Sequence, residues 1–312
     1  MILAAHASAE PPKLSLPIDC TLGVDCFIED YVDADPSEGQ SDYTCGLKSR
    51  DGHNGTDLVL KGFELMQQGV DVLASAPGTV AAIRDGVSDR PVTEENRHLI
   101  EGRECGNAVR IDHGEGWQTL YCHMENGSVT VNTGDVVQTG DALGKVGLSG
   151  LTNVPHVHFS VFKDGTPIDP FAPETSKSCS EEAKDGLWID TPRYSRAGLF
   201  TAGFSTSIPT FDAVKTGGAR HYLGHADAPI VLYGYAFYVE DGDEMHLSIS
   251  GPEDFAFETL VRFDTHKAEL FRAFGRKPPE NGWPTGAYRG YVTLSRRGEI
   301  LAVRHADFTV VD

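Results

Sequence analysis

The stretch Pro155-His-Val-His-Phe-Ser-Val-Phe162 constrains this chain more than any other. A short apolar run rich in Val and Phe and opened by proline reads as a β-strand. Successive side chains on a strand face opposite sides, so His156 and His158 project together while Val157 and Phe159 turn away. A lone His-x-His pair is a weak signal, but two other stretches add weight to it. Gly52-His-Asn-Gly-Thr-Asp57 places His53 and Asp57 four residues apart. Gly52 and Gly55 argue against a helix there, so the reading is a loop that enters a strand over Thr56–Leu60. In Tyr121-Cys-His123 the same alternation puts Tyr121 and His123 on one face and Cys122 on the other.

These residue types suit one chemistry. Zinc accepts imidazole nitrogen and carboxylate oxygen, and a catalytic zinc keeps one coordination position for water. Two histidines and one carboxylate complete a three-ligand site. Two histidines are then left for acid–base work or charge stabilisation. A hydrolase is the leading reading.

Between residues 52 and 170 several segments, taken in order, resemble the lysostaphin-type (LytM-like) zinc metallopeptidases that cut peptidoglycan peptides. Gly52-His-Asn-Gly-Thr-Asp57 resembles the family's first ligand motif. Val72 to Val80 resembles its strand–turn–strand, and Gly106 to Gly116 its hairpin. Thr119-Leu-Tyr-Cys-His-Met124, the Gly-rich turns over Val136–Gly144 and Val146–Gly150, Pro155-His-Val-His-Phe159 and Ile168-Asp-Pro170 complete the series. By position, the resemblance implies that His53, Asp57 and His158 are zinc ligands and that His123 and His156 are non-ligand catalytic histidines. It implies a structural role for His113. The departures are Ser160 where many members carry Glu, Met124 for a common Leu, and longer segments at residues 61–71 and 85–105. Both long segments are expected to reshape the groove. In the implied mechanism a zinc-activated water attacks a peptide bond. His156 is the candidate base, and a protonated His123 steadies the oxyanion; the two roles are exchangeable on sequence alone.

Composition narrows the partners. The 312-residue chain carries 26 basic and 46 acidic side chains, for a net charge of −20. No basic patch rises above that background, which argues against nucleic acid. It also disfavours electrostatic adsorption to anionic membranes or wall polymers. No apolar run has the length of a membrane-spanning helix. The six cysteines, at 20, 26, 45, 105, 122 and 179, are not needed by the proposed site. An even count fits three disulfides and an exported (periplasmic or secreted) protein. Cys20 and Cys26 could close a small loop. Cys122 is expected to point away from the metal face and brace its strand from behind. At the N-terminus, Ala7-Ser-Ala9 resembles a small-residue cleavage site, but the segment lacks a basic region and a full apolar core. It reads as the end of a signal or as a cloning remnant.

Many short Val/Ile/Tyr/Phe runs between Gly and Pro turns, with 34 Gly and 17 Pro, predict a mainly β protein. The expected plan has four parts. Residues 1–50 are a disulfide-tied lead-in, with either a structural role or an inhibitory one against the groove. Residues 51–173 are a LytM-like antiparallel β catalytic domain. Residues 174–185 are a polar linker that Cys179 ties back to that domain. Residues 186–312 are an immunoglobulin-like β-sandwich, with strands expected over 230–239, 244–250, 286–294 and 300–310. Leu270, Phe271 and Phe274 have helical spacing, which predicts one short helix over 265–274. His221 and His225 read as an exposed loop. Tyr233, Tyr235 and Tyr238 read as sandwich core or as the lining of a ligand groove. The competing functional reading is a LytM-like non-catalytic regulator or wall-binding module. Modules of that kind typically lack ligands, whereas all five positions are filled here.

Overall fold

A computed structural model describes residues 10–174 and 185–311. Ala7–Ala9 and Cys179 lie outside the described residues. The protein is mainly β, with antiparallel sheets. It divides into two compact units, one within Met1–Leu60 and Leu65–Tyr194, the other within Lys61–Glu64 and Ser195–Asp312.

In the first unit the strands are β1 (Cys26–Asp30), β2 (Thr56–Leu60), β3 (Asp71–Leu73), β4 (Gly78–Arg84) and β5 (Asn107–Gly114). They continue as β6 (Trp117–Met124), β7 (Val136–Val137), β8 (Ala142–Lys145), β9 (His156–Lys163) and β10 (Thr166–Ile168). One sheet runs in the order β1-β2-β9-β6-β5-β4-β7, with β10 paired to β9, and β3 pairs with β8. The expected strand over Thr56–Leu60 has those bounds. The long segment at 61–71 contains a short helix, α1 (Phe63–Gln68).

The inner face of this sheet is apolar. Leu58, Val109, Ile111, Tyr121, Val157, Phe159 and Val161 are buried in one cluster. Residues of the lead-in belong to the same cluster: Leu14, Ile18, Ile28, Tyr31 and Tyr43. Tyr31 stacks on Tyr194 and meets Tyr43 and Phe171 edge-on. Aromatic pairs of this kind add to the area they bury. The lead-in is therefore part of the core. The edge of this unit also differs from the expected start of the C-terminal domain at residue 186, because Leu187 and Trp188 are buried with Phe159 and Phe171. Cys20–Cys26 and Cys105–Cys122 are disulfides, and Cys45 is also disulfide-bonded.

Just beyond β10, Asp169 accepts the Phe171 amide at 2.8 Å through Oδ1, while Oδ2 is buried without a partner. Burial pushes its carboxyl up to about 7, and the charge of Asp42 adds to the effect. Between the unfolded value near 4 and this folded value, only the unfolded chain loses the proton. Asp169 therefore costs stability as pH rises through that window, and the full cost applies above about 7. Asp169→Asn is expected to be more stable than the parent at pH 8, by on the order of 2 kcal/mol once residual solvent access is allowed for. The two should match at pH 4. Urea melts at both pH values check this, and an equal difference at both would refute it.

The second unit holds β11 (Gly198–Ser205), α2 (Phe211–Lys215), β12 (Leu223–His225), β13 (Ile230–Val239), β14 (Glu244–Ser250), β15 (Ala256–Arg262), β16 (Lys267–Arg276), β17 (Gly286–Arg296) and β18 (Glu299–Val311). These form a three-stranded sheet, β11-β13-β16, and a five-stranded sheet, β12-β18-β17-β14-β15. β14 alternates as expected of a half-buried strand, with Met245, Leu247 and Ile249 inward. Phe204 of one sheet stacks on Phe308 of the other at 5.2 Å.

The short helix expected over 265–274 is instead strand β16, paired with β13 along its length. Its apolar spacing has a strand explanation. Leu270 and Phe274 share one face, where Phe274 meets Phe257, while Phe271 on the other face stacks on Phe211 of α2. A strand covered on both faces loses its clean alternation and imitates a helical pattern. Tyr233, Tyr235 and Tyr238 are buried, so they are core. His221 and His225 are exposed as expected, but His225 ends strand β12, paired with Val311 of β18, and is not in a loop.

Candidate metal centre

The five histidine and aspartate positions singled out in the sequence meet at one end of β2 and β9. Strand pairing does most of this. Asp57 lies directly opposite His158, and Val59 opposite His156. On neighbouring strands Asp30 of β1 pairs with Asp57, and Cys122 of β6 pairs with His158. Asp30, Asp57, His158 and Cys122 thus form a row across four strands, on the face away from the core.

His53 joins the row from the loop before β2. Its backbone amide bonds Arg50 and its carbonyl accepts from Asp33. Gly55 lets the loop close over the ring of His158. A Cβ there would lie 2.6 Å from His158 Cε1 and Nε2 and 2.8 Å from the Phe159 carbonyl. The carbonyl is backbone and cannot swing aside. Gly55→Ala is therefore expected to displace His158 and weaken metal binding by about tenfold or more, the scale found when a ligand's support is disturbed. Chelator competition measures this, and parent-like affinity would refute it.

Three atoms converge. Asp57 Oδ1 is 2.7 Å from His158 Nδ1 and 3.2 Å from His53 Nε2, and the two nitrogens are 3.1 Å apart. The far nitrogen of each ring decides what the near one can do. His53 Nδ1 donates to the Tyr31 carbonyl at 2.7 Å, which in the neutral ring leaves the lone pair on Nε2. His158 Nε2 lies 3.1 Å from Asn54 Oδ1 and 2.9 Å from Ser160 Oγ. The amide oxygen calls for a proton on Nε2, which leaves a lone pair on Nδ1. Asp57 is held charged: burial alone would raise its carboxyl, but His53, His156 and His158 outweigh that and keep it well below the usual range. Two imidazole nitrogens and a carboxylate oxygen facing one another form a grouping that can hold a cation. The donor set of two nitrogens and one oxygen suits zinc. A second grouping, Cys20, Asp25 and Cys26, has its sulfurs joined in a disulfide and so offers no thiolate.

Two further imidazoles flank the cluster. His156 Nδ1 bonds the Val154 carbonyl at 2.9 Å and Thr152 Oγ1 at 3.1 Å. Its Nε2 is buried without a hydrogen-bond partner and lies 3.7 Å from Asp57 Oδ1. His123 Nδ1 donates to the Ser149 carbonyl at 2.7 Å, and its ring is 4.5 Å from that of His156. Burial lowers both below the ordinary histidine value, His123 furthest, with His156 and His158 adding to the effect on His123. Both rings are therefore neutral at rest.

Strand alternation fails at His123. Tyr121 and Met124 are both in the core, three residues apart, and the register with β5 shifts between Asn107 and Val109. One extra residue is inserted there as a bulge, and His123 takes a φ of 62°. His123 thereby leaves the face of Tyr121 and joins that of His158. The expected orientation of Cys122 is corrected for the same reason. It lies on the metal-centre face, opposite His158, and its disulfide to Cys105 lies on that side of the sheet. His113 bonds the Pro77 carbonyl at 2.7 Å and Thr119 Oγ1 at 2.8 Å, away from the cluster.

Sequence reasoning missed Arg50, whose Nη2 lies 2.6 Å from Asp57 Oδ2 and whose Nη1 pairs with Asp30. A basic residue three before His53 was the available signal. The carbonyls of Tyr31, Ser149 and Val154 left none.

Residues 52–170 match the model of Peptidase family M23. The chain is 33% identical over 107 residues to the DD-carboxypeptidase/endopeptidase Mpg of Neisseria meningitidis, covering 34% of this chain and 22% of that protein. It is 29% identical over 117 residues to the peptidoglycan DD-endopeptidase ShyA of Vibrio cholerae, covering 38% of this chain and 22% of that protein. The chain thus spans about a fifth of the length of these curated relatives. Among solved structures it is similar to the catalytic domain of the antimicrobial peptidase lysostaphin from Staphylococcus simulans, with 24% identity, a TM-score of 0.28, and coverage of 38% of this chain and 77% of that one.

Proposed function

With residues 52–170 forming a peptidase family M23 domain, we propose that this protein is a zinc-dependent endopeptidase that hydrolyses peptide bonds in bacterial peptidoglycan. The observation that carries the reading is the convergence of three lone-pair donors beside a buried, unpartnered imidazole nitrogen. His53, Asp57 and His158 would hold the metal. Zinc held there would supply Lewis acidity and bring the pKa of water to about 7.

The other roles belong to the protein's own groups. His156 is neutral, its tautomer is fixed by the Val154 carbonyl, and its free Nε2 lies beside Asp57. It takes the proton of the attacking water. The imidazolium so formed can then return that proton to the leaving amine, which cannot depart as an anion. The His123 ring, 4.5 Å from that of His156, completes the proton-handling pair. Its bond to Ser149 fixes it as an acceptor until a proton reaches it.

The relative named above as a peptidoglycan DD-endopeptidase supports the substrate class, and the cysteine chemistry bears on where the protein acts. Disulfides persist in oxidising compartments, so the site of action is periplasmic or extracellular. The test pairs metal analysis of the purified protein with mass spectrometry of products from purified peptidoglycan. About one zinc per chain and new peptide ends are expected. Zinc uptake without new ends would favour the competing non-catalytic module. Absence of zinc uptake would overturn the metal assignment.

A further inference from the structure

We infer that Arg50 is a positioning residue for the metal centre, anchored by Asp30 so that Asp57 offers only one of its oxygens to the cation. This deepens the metal assignment under Proposed function and rests on it. A carboxylate has two oxygens, and a site that leaves both free can hold a metal in more than one way. Here the two are separated by partner. Oδ1 faces His158 Nδ1 at 2.7 Å and His53 Nε2 at 3.2 Å. Oδ2 is taken by Arg50 Nη2 at 2.6 Å. Arg50 is held from the other side by Asp30, which pairs with Asp57 across β1 and β2.

Three features set this pair apart from an ordinary surface ion pair. Asp57 is buried, with 2% of its side chain exposed, so its charge is not screened as a surface carboxylate is. The guanidinium is a planar fork that stays charged, and here it spans two carboxylates at once, which the point charge of lysine cannot reproduce. Arg50 also belongs to the turn that presents a ligand, because its carbonyl accepts the His53 amide at 2.9 Å. One residue therefore ties the His53 loop, the Asp57 carboxylate and strand β1 together.

The test compares parent, Arg50→Ala, Arg50→Lys and Asp30→Asn. Zinc affinity is measured by chelator competition, and the visible spectrum is recorded after cobalt(II) substitution. Arg50→Ala is expected to bind zinc about 10–100-fold more weakly, the range for loss of a group that orients a ligand. Its cobalt absorption should weaken as the released oxygen of Asp57 joins the coordination. Arg50→Lys should recover part of the affinity but not the spectrum. Metal-free unfolding curves separate this from a loss of fold. If Arg50→Ala does not fold, Asp30→Asn carries the test, with a smaller loss of affinity and the same spectral change. Parent-like affinity and spectrum in the variants overturn the inference while leaving the metal assignment intact. A parent protein that takes up neither zinc nor cobalt overturns both.

Discussion

His158→Ala is expected to lose bound zinc and hydrolytic activity together. His158 supplies one of three protein donors, and its Nδ1 is within 3.1 Å of both others. Tightly held zinc carries on the order of 10–16 kcal/mol of binding free energy shared among its ligands. Removing one donor should therefore cost on the order of 3 kcal/mol or more, about a hundredfold in affinity. The fold should survive, because His158 points away from the core while Val157 and Phe159 fill it. Zinc content after dialysis against a weak chelator, alongside the circular dichroism spectrum, measures both parts. A variant that retains one zinc through dialysis would remove His158 from the ligand set.

His156→Ala and His123→Ala should behave in the opposite way, keeping zinc and losing turnover. Neither ring supplies one of the three converging atoms. His156 Nε2 is nonetheless buried, unpartnered and 3.7 Å from Asp57 Oδ1. Loss of a positioned acid–base group typically costs 10²–10⁴-fold in rate, so kcat is expected to fall by roughly that factor with KM little changed. The two rings are 4.5 Å apart, and if they handle the same proton as proposed, the double variant should be little worse than the poorer single one. Kinetics on a defined cross-linked muropeptide, with zinc measured on the same samples, decide the matter. Parent-like kcat in either single variant would exclude that ring, and loss of zinc in either would move it into the ligand set.

The sequence revealed the parts of this site that regular strands build. Thr56–Leu60 and the His156/His158 face follow from alternation, and pairing β2 with β9 brings Asp57 against His158. His123 was legible as a participant but not by the correct geometry. The bulge that turns it outward is a backbone event within an ordinary-looking Tyr-Cys-His-Met run, and the same event misplaced Cys122. The helix expected near Leu270 failed because residues on both faces of β16 are covered, which no local spacing reveals. The lead-in looked irregular because Tyr31 and Tyr43 find their partners far along the chain, at Phe171 and Tyr194. Arg50 was hidden for a related reason: Asp30, its second partner, lies twenty residues earlier.

Three of the four clustered histidines have their outward nitrogen fixed by a main-chain oxygen, at residues 31, 149 and 154. Every amino acid brings the same carbonyl, so the nitrogen that faces inward is set by where the chain runs and not by the side chain at those positions. Tyr31 and Ser149 are held for other reasons, as core and as a buried hydroxyl, which leaves the half-buried Val154 as the position where identity matters least to the ring it supports. Length matters at all three. Removing or adding a single residue in the loops through Tyr31, Ser149 or Val154 carries the carbonyl off its ring and frees the tautomer, so scanning deletions would find this layer of the site.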